Sequence, residues 1–428
     1  MTTDTSTQQR IAIIGAGIAG LASAYLLSRR HTVTLYESGD YLGGHTNTVD
    51  VSLDGLSHPV DTGFLVFNDR TYPNLIALFD ELGVASHATG MTFAVSVDDG
   101  RLEWAGSNLN TVFAQRRNLL SPQFVGMLRD ILRFNAAAQA GLDAAIESRI
   151  TLAQLLEQGR YGRAFRDAYL LPMAAAIWSS APGDILRFPA TTFLRFCLNH
   201  ALLQVNDRPQ WRSVIGGGRD YVRRIAATLN DVRLRTPVYG VQRHDGRVLV
   251  RTDDGVEAFD AVVFATHAPD TLKLLDDAGD DERRVLGAVR YQPNTAVLHT
   301  DTGQLPRRQS VWSAWNCLAR TGDDGNRPVC VSYLLNRLQP LPFTRPVIVT
   351  LNPHTEPDPA RVLARFEYDH PLLDQPAIDA QAKLAQLQGR RRSWYAGAWT
   401  GYGFHEDGLK SALRVADAFG VLPAWAVR

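Results

Sequence analysis

The N-terminal segment constrains the fold more than any other feature of this chain, because it runs strand, glycine loop, helix, strand, acid. Residues 11–14 are apolar and read as a short buried strand. Gly15-Ala16-Gly17-Ile18-Ala19-Gly20 follows, then a helical run over 21–29 and a second strand over 32–36 that leads to Glu37. Each element has a physical reason to stand where it does. Gly15 permits a tight turn, Gly17 lets a pyrophosphate approach the backbone, and Gly20 lets helix and strand pack closely. The free N–H groups at the helix start, around Ile18 and Ala19, meet the phosphate charge. The Glu37 carboxylate is placed to bind both hydroxyls of an adenosine ribose. The fold class is therefore α/β, with a Rossmann-type dinucleotide-binding domain.

Further motifs narrow the cofactor. Gly43-Gly44-His45 follows the acid, and Pro59-Val60-Asp61-Thr62-Gly63-Phe64 follows that. A third glycine run, 216–218, precedes a helical pattern over 220–229 and strands at 232–234, 238–244 and 248–252. A buried strand over 259–266 ends in small residues at Thr266. Near the C-terminus, Trp394-Tyr395-Ala396-Gly397 leads through Gly401, Gly403 and His405 to Gly408-Leu409 and a helix running to 419. Taken together, these strings resemble the flavin-containing amine oxidase and phytoene desaturase superfamily of FAD-dependent oxidoreductases. The strings at 42–46, 333–339 and 368–371 are similar to a bacterial branch, some of whose members are linked with modification of lipid acyl chains.

The resemblance implies FAD, held non-covalently. It implies that Gly43, Gly44 and His45 lie along the cofactor, with His45 where most relatives carry another basic residue. A histidyl–flavin link at His45 is the covalent alternative; no cysteine lies near the C-terminal motif to make a cysteinyl one. Asp61, Thr62 and Gly63 are expected near the flavin ring, Val238 near the adenine, and Thr266 and Gly397 along the path between. Gly408 and Leu409 are the expected N–H donors from a helix N-terminus aimed at the flavin. No second full fingerprint exists, so no resident NAD(P)H domain is expected.

The order of patterns implies two discontinuous domains. Residues 1–82, 212–272 and 386–428 form the FAD-binding domain. Residues 83–211 and 273–385 form an interleaved α+β substrate domain, mostly helical up to 203 and strand-rich at 295–299, 310–315, 329–335 and 347–351. Basic and acidic residues number 44 each, so no global field draws the chain to nucleic acid. The three cysteines have no metal-ligand spacing, and no metal site is expected. No apolar run is long enough to span a membrane. The polar start, residues 1–10, has no apolar core of a leader, and the expected location is the cytoplasm, with peripheral contact at the inner face of the membrane.

Three chemistries compete. Amine oxidases of the superfamily use an active-site lysine. This chain has three lysines, Lys273, Lys383 and Lys410, and none falls on the strand where that lysine belongs. Dehydrogenation (desaturation) of a hydrophobic substrate such as a lipid acyl chain, by hydride transfer to flavin, needs an apolar tunnel instead, and the aromatic- and Leu-rich segment 177–203 supplies one. Double-bond isomerisation needs the same tunnel. The electron acceptor stays open. His405 is the candidate catalytic residue, since an imidazole there moves a proton near neutral pH; the alternative is a structural or ribityl-binding histidine. For the membrane contact, residues 111–135 offer an apolar face of Phe124, Leu128, Ile131 and Leu132 with Arg116, Arg117, Arg129 and Arg133 beside it.

Overall fold

The computed structural model describes residues 8–204, 208–320 and 329–427. Most of the polar N-terminal stretch, residues 1–7, lies outside the described residues. A parallel five-stranded sheet has the spatial order Asp231–Arg233, Thr32–Tyr36, Arg10–Ile14, Ala261–Phe264, Ser393–Tyr395. Its inner strands are buried beyond their first residues, and mostly apolar there, because both faces are covered. Helix Ile18–Leu27 covers one face and packs along the C-terminal helix His405–Ala418. The antiparallel strands Gly240–His244, Arg247–Thr252 and Gly255–Phe259 lie over the other, with Val241, Val248 and Val250 in the same buried cluster as Ile14 and Val262.

A second, seven-stranded sheet is built from Phe93–Val97 and Leu102–Ala105 together with five strands between Tyr291 and Pro371. A helical layer from Pro122–Ser148 to Ala190–Asn199 packs against it and shares one large apolar core with it. Two local readings change. The strand expected at 310–315 is a turn, and the strand runs Trp315–Ala319. Asn316 explains the shift: its side chain accepts from the Ser313 N–H at 2.9 Å and donates to the Ser313 carbonyl at 2.6 Å, which closes a local loop. Strand Val362–Pro371 pairs along the whole of Tyr291–His299 and was not expected.

The long helix Pro122–Ser148 begins with Ser121 as cap and Pro at its first position. Its inward face is Phe124, Met127, Phe134 and Ala138. Phe124 is thus a core residue, packed edge-on to Trp104 and Phe113, rather than part of an outward apolar face. Leu128 and Ile131 are half-buried against the same core, and of the four expected only Leu132 stands exposed.

Candidate functional site

The sheet's geometry puts its site at the carboxyl ends of the strands. Strand Arg10–Ile14 leads into Gly15, Thr32–Tyr36 into Glu37, Asp231–Arg233 into Thr236, Pro237 and Val238, Ala261–Phe264 into Ala265 and Thr266, and Ser393–Tyr395 into Gly397. All of these line a single cavity of about 780 Å³. A crevice outside the carboxyl ends is where an open parallel sheet binds its ligand.

The glycine loop is shaped as a phosphate cradle. Gly15 has φ +99°, and a Cβ there would lie 2.8 Å from the Ala265 carbonyl oxygen. A Cβ on Gly20 would lie 1.8 Å from the Gly15 carbonyl oxygen, so Gly20 serves helix packing and does not itself line the cavity. Gly17 is different. A Cβ there would meet nothing within 4 Å, because that space belongs to the cavity. Gly43 has φ +121° and donates its N–H to the Ala16 carbonyl at 2.8 Å, which lays the glycine pair against the loop. Glu37 accepts from the Ala16 N–H and the Gly39 N–H, each at 2.8 Å, so its carboxylate is fixed at the strand end. The open cradle at Gly17 and the fixed acid at the strand end fit the pyrophosphate and ribose of FAD.

The other expected cofactor residues divide. Ile18, Ala19, Gly44, His45, Thr62, Gly63, Val238, Thr266 and Gly397 all line the cavity. Asp61 does not. It is buried behind the wall, where Oδ1 accepts from Thr48 Oγ1 at 2.5 Å and from the Gly218 N–H at 2.8 Å. Burial pushes its carboxyl up to about 6. Asp61 therefore braces Thr48, on the paired strand, against the Gly216–Gly218 turn and does not face the cavity. That turn packs on Thr46, Thr48 and Asp61 and lines no part of the cavity.

Gly408 and Leu409 also change role. The last helix starts at His405, one turn earlier than expected. The Gly408 N–H donates to the Phe404 carbonyl at 3.1 Å, so it belongs to the helix's own ladder. A Cβ on Gly408 would lie 2.7 Å from Ile18 Cγ2, which makes this glycine a helix-crossing residue. Leu409 is fully buried in the core. First-turn N–H groups have no partner within a helix, and here those belong to His405, Glu406 and Asp407. Glu406 anchors this turn. Its carboxylate accepts from the backbone N–H groups of Asn74 and Leu75 at 3.1 and 2.9 Å, and so caps helix Pro73–Leu82.

His405 is held on three sides. Its Nε2 lies 2.8 Å from Thr46 Oγ1 and 3.2 Å from the Tyr221 hydroxyl, and its ring stacks on Phe64 at 3.7 Å. Burial pushes it down to about 3, so the ring is neutral at physiological pH. These contacts tie the Thr46 segment to the last helix through Nε2, and the ring lines the cavity. His45 stands in a cluster with His267, Tyr368 and His370, with ring centroids 6.3, 5.1 and 5.3 Å away. Burial and the neighbouring histidines hold it well below its usual range, and its Nε2 has no partner.

Beyond the cofactor end, the cavity becomes aromatic: Trp104, Trp178, Phe196, Trp211, Tyr333 and Phe404 are in its wall. The residue that sequence reasoning missed here is His200. Its ring stacks on Phe196 at 4.0 Å, and its Nδ1–H donates to the Phe196 carbonyl at 3.1 Å. A carbonyl only accepts, so this fixes the tautomer and leaves Nε2 as an acceptor. Burial pushes His200 down to about 4. Tyr368 and His370 were missed as site residues too; they arrive on the unexpected strand Val362–Pro371. Carboxylates and lysines are scarce. Among the described residues, the lining acids are Glu37, Asp270 and Asp369, and the lining lysine is Lys273. Lys273 is exposed and bonded to Asp270 at 2.9 Å.

Comparison with known proteins gives the family and the fold. The family model for flavin containing amine oxidoreductases matches residues 18–337. A Mycobacterium tuberculosis protein that carries the name flavin-containing monoamine oxidase AofH is 28% identical over 268 residues, 60% of this chain and 56% of that protein. The carotenoid phi-ring synthase of Streptomyces griseus is 29% identical over 322 residues, 66% of this chain and 58% of that protein. The chain thus spans a little over half the length of the curated relatives it matches. The crystal structure of a fatty acid isomerase from P. acnes superimposes with a TM-score of 0.68 over 96% of this chain and 98% of that one, at 17% identity. At that identity the likeness is one of fold.

Proposed function

The chain belongs to the flavin containing amine oxidoreductase family, and from that premise we propose that it dehydrogenates a hydrophobic substrate, such as a lipid acyl chain, with FAD as its non-covalent cofactor. One observation carries the reading: the aromatic half of the cavity offers no carboxylate and no lysine among the described residues. A protonated amine would be desolvated there without a counter-charge, which is costly, whereas an alkyl chain gains by contact with Trp178, Phe196 and Phe404. Lys273 sits exposed at the rim, paired with Asp270, and is not placed as an active-site lysine.

When bound, FAD supplies a ring that accepts a hydride. The residues of this chain do the rest. The glycine loop and Glu37 hold the adenosine and phosphates. The aromatic walls orient the chain and exclude water. His200 Nε2 is the acceptor for the proton lost beside the hydride. Its low pKa makes it a weak base, and a weak base suffices for a C–H bond already acidified by departure of the neighbouring hydride.

The test is the acyl-lipid profile of cells with and without the protein. The reading expects a species that has lost H2 only where the protein is present, and its disappearance with His200→Phe, which keeps the stack on Phe196 but removes the acceptor. An unchanged lipid profile together with an altered amine pool would replace this reading with amine oxidation.

A further inference from the structure

We propose that the surface carrying Leu119, Leu120, Arg116 and Arg117 docks this protein on an anionic lipid bilayer, beside an opening of the cavity. The inference rests on the reading of a hydrophobic substrate, and it adds where that substrate enters. Gly106 and Ser107 line the cavity and are exposed, so the cavity reaches the surface there. The chain then runs directly into helix Leu109–Val112 and the turn Arg116–Leu120.

This surface is apolar to a degree that folding does not explain. Leu120 is 89% exposed and Leu109 is 76% exposed, with Leu119 exposed beside them. Ser121 ends the turn and caps the following helix, on which Val125 and Leu132 are exposed as well. Those two lie at i and i+7, on the stripe next to the buried face, with Arg129 between them at i+4.

Charge decides the partner. Between Glu103 and Asp130 the sequence holds no acidic residue and three arginines, Arg116, Arg117 and Arg129. Arg116 donates to the Asn110 side chain at 3.2 Å and Arg117 to the Arg101 carbonyl, and neither guanidinium pairs with a carboxylate among the described residues. The neighbours Arg101 and Arg133, by contrast, are paired with Asp98 and Asp130. Exposed leucines ringed by unneutralised arginines match the interface of a membrane with anionic head groups. Two copies of this surface would set arginines against arginines. Among the described residues no helix is long and apolar enough to cross a membrane, so contact is peripheral through this surface.

The experiment is co-sedimentation of the FAD-loaded protein with vesicles of phosphatidylglycerol and phosphatidylcholine, or of phosphatidylcholine alone, at low and high salt. Wild type is expected to pellet with the anionic vesicles at low salt and to be released by high salt. Arg116→Glu/Arg117→Glu and Leu119→Glu/Leu120→Glu are each expected to partition at least about tenfold less, while keeping their flavin absorbance as proof of folding. Absence of wild-type pelleting at low salt, or equal pelleting of both variants, overturns the proposal. So does a dimer in buffer that Leu119→Glu/Leu120→Glu dissolves without any vesicle binding. An acyl lipid offered in detergent micelles separates the two readings. Anaerobic flavin bleaching in micelles without vesicle binding overturns docking alone; vesicle binding with no bleaching by any acyl lipid supports docking and overturns the dehydrogenase reading.

Discussion

The backbone N–H of Ala16 donates to Glu37 Oε2 at 2.8 Å, and this bond ties the glycine loop to the end of the neighbouring strand. The same carboxylate accepts from the Gly39 N–H, so it is positioned before any ribose arrives. Glu37→Ala removes both the brace and the charge-assisted bonds to the ribose, worth about 1.5–3 kcal/mol. FAD retention through repeated ultrafiltration is expected to weaken by about 10- to 150-fold. Unchanged retention shows that Glu37 does not bind the cofactor.

The cofactor is expected to leave without breaking a bond. Cys197, Cys317 and Cys330 are buried, and none lines the cavity. Acid precipitation of the purified protein should leave a colourless pellet beneath a yellow supernatant. A yellow pellet contradicts this, and peptide mapping would then be directed first at His45.

Gly408 tests the corrected reading of the last helix. If it is a crossing glycine, Gly408→Ala destabilises by about 1–3 kcal/mol through overpacking on Ile18. Ile18→Ala then costs less in the Gly408→Ala background than alone, which urea unfolding of the four proteins measures. Additive effects would show that the two helices do not meet there.

Buried neutral histidines set the response to acid. His200, His299 and His370 are held at about 4 and His405 at about 3. In the unfolded chain each binds a proton near pH 6.5, so between those values the unfolded state binds more protons. Stability is full above about pH 6.5 and falls as pH drops towards about 4. His405→Gln removes one such group and should flatten the slope by up to about 1.4 kcal/mol per pH unit, read from urea midpoints across that range. A slope identical to wild type would show that His405 is accessible to protons in the folded protein.

The cofactor end was legible in the sequence because its residues are backbone-determined. Gly15, Gly17 and Gly20 each answer a steric demand visible in the spacing alone, and Glu37 is placed by strand length. Asp61 was not legible. Its motif points at the flavin, but which way a side chain leaves a strand end depends on what lies behind it, here Thr48 and Gly218 from a distant segment. The start of the last helix was misplaced by one turn because its cap is Phe404, an unusual capping residue, and its anchor is Glu406 reaching to Asn74 and Leu75. His200 gave no motif, since its partners are its own helix's Phe196 carbonyl and a cavity that only the assembled fold creates. Strand Val362–Pro371 did carry a signal: Ala364, Phe366 and Tyr368 alternate with Arg365, Glu367 and Asp369. That alternation leads straight to Tyr368 and His370.

The central claim, that this cavity positions a hydrophobic chain for dehydrogenation, is tested most directly by anaerobic mixing of the FAD-loaded protein with acyl lipids on one side and primary amines on the other. The account predicts loss of the yellow absorbance with an acyl lipid, formation of a product that has lost H2, and no bleaching by amines. Bleaching by an amine with none by any acyl lipid would contradict it.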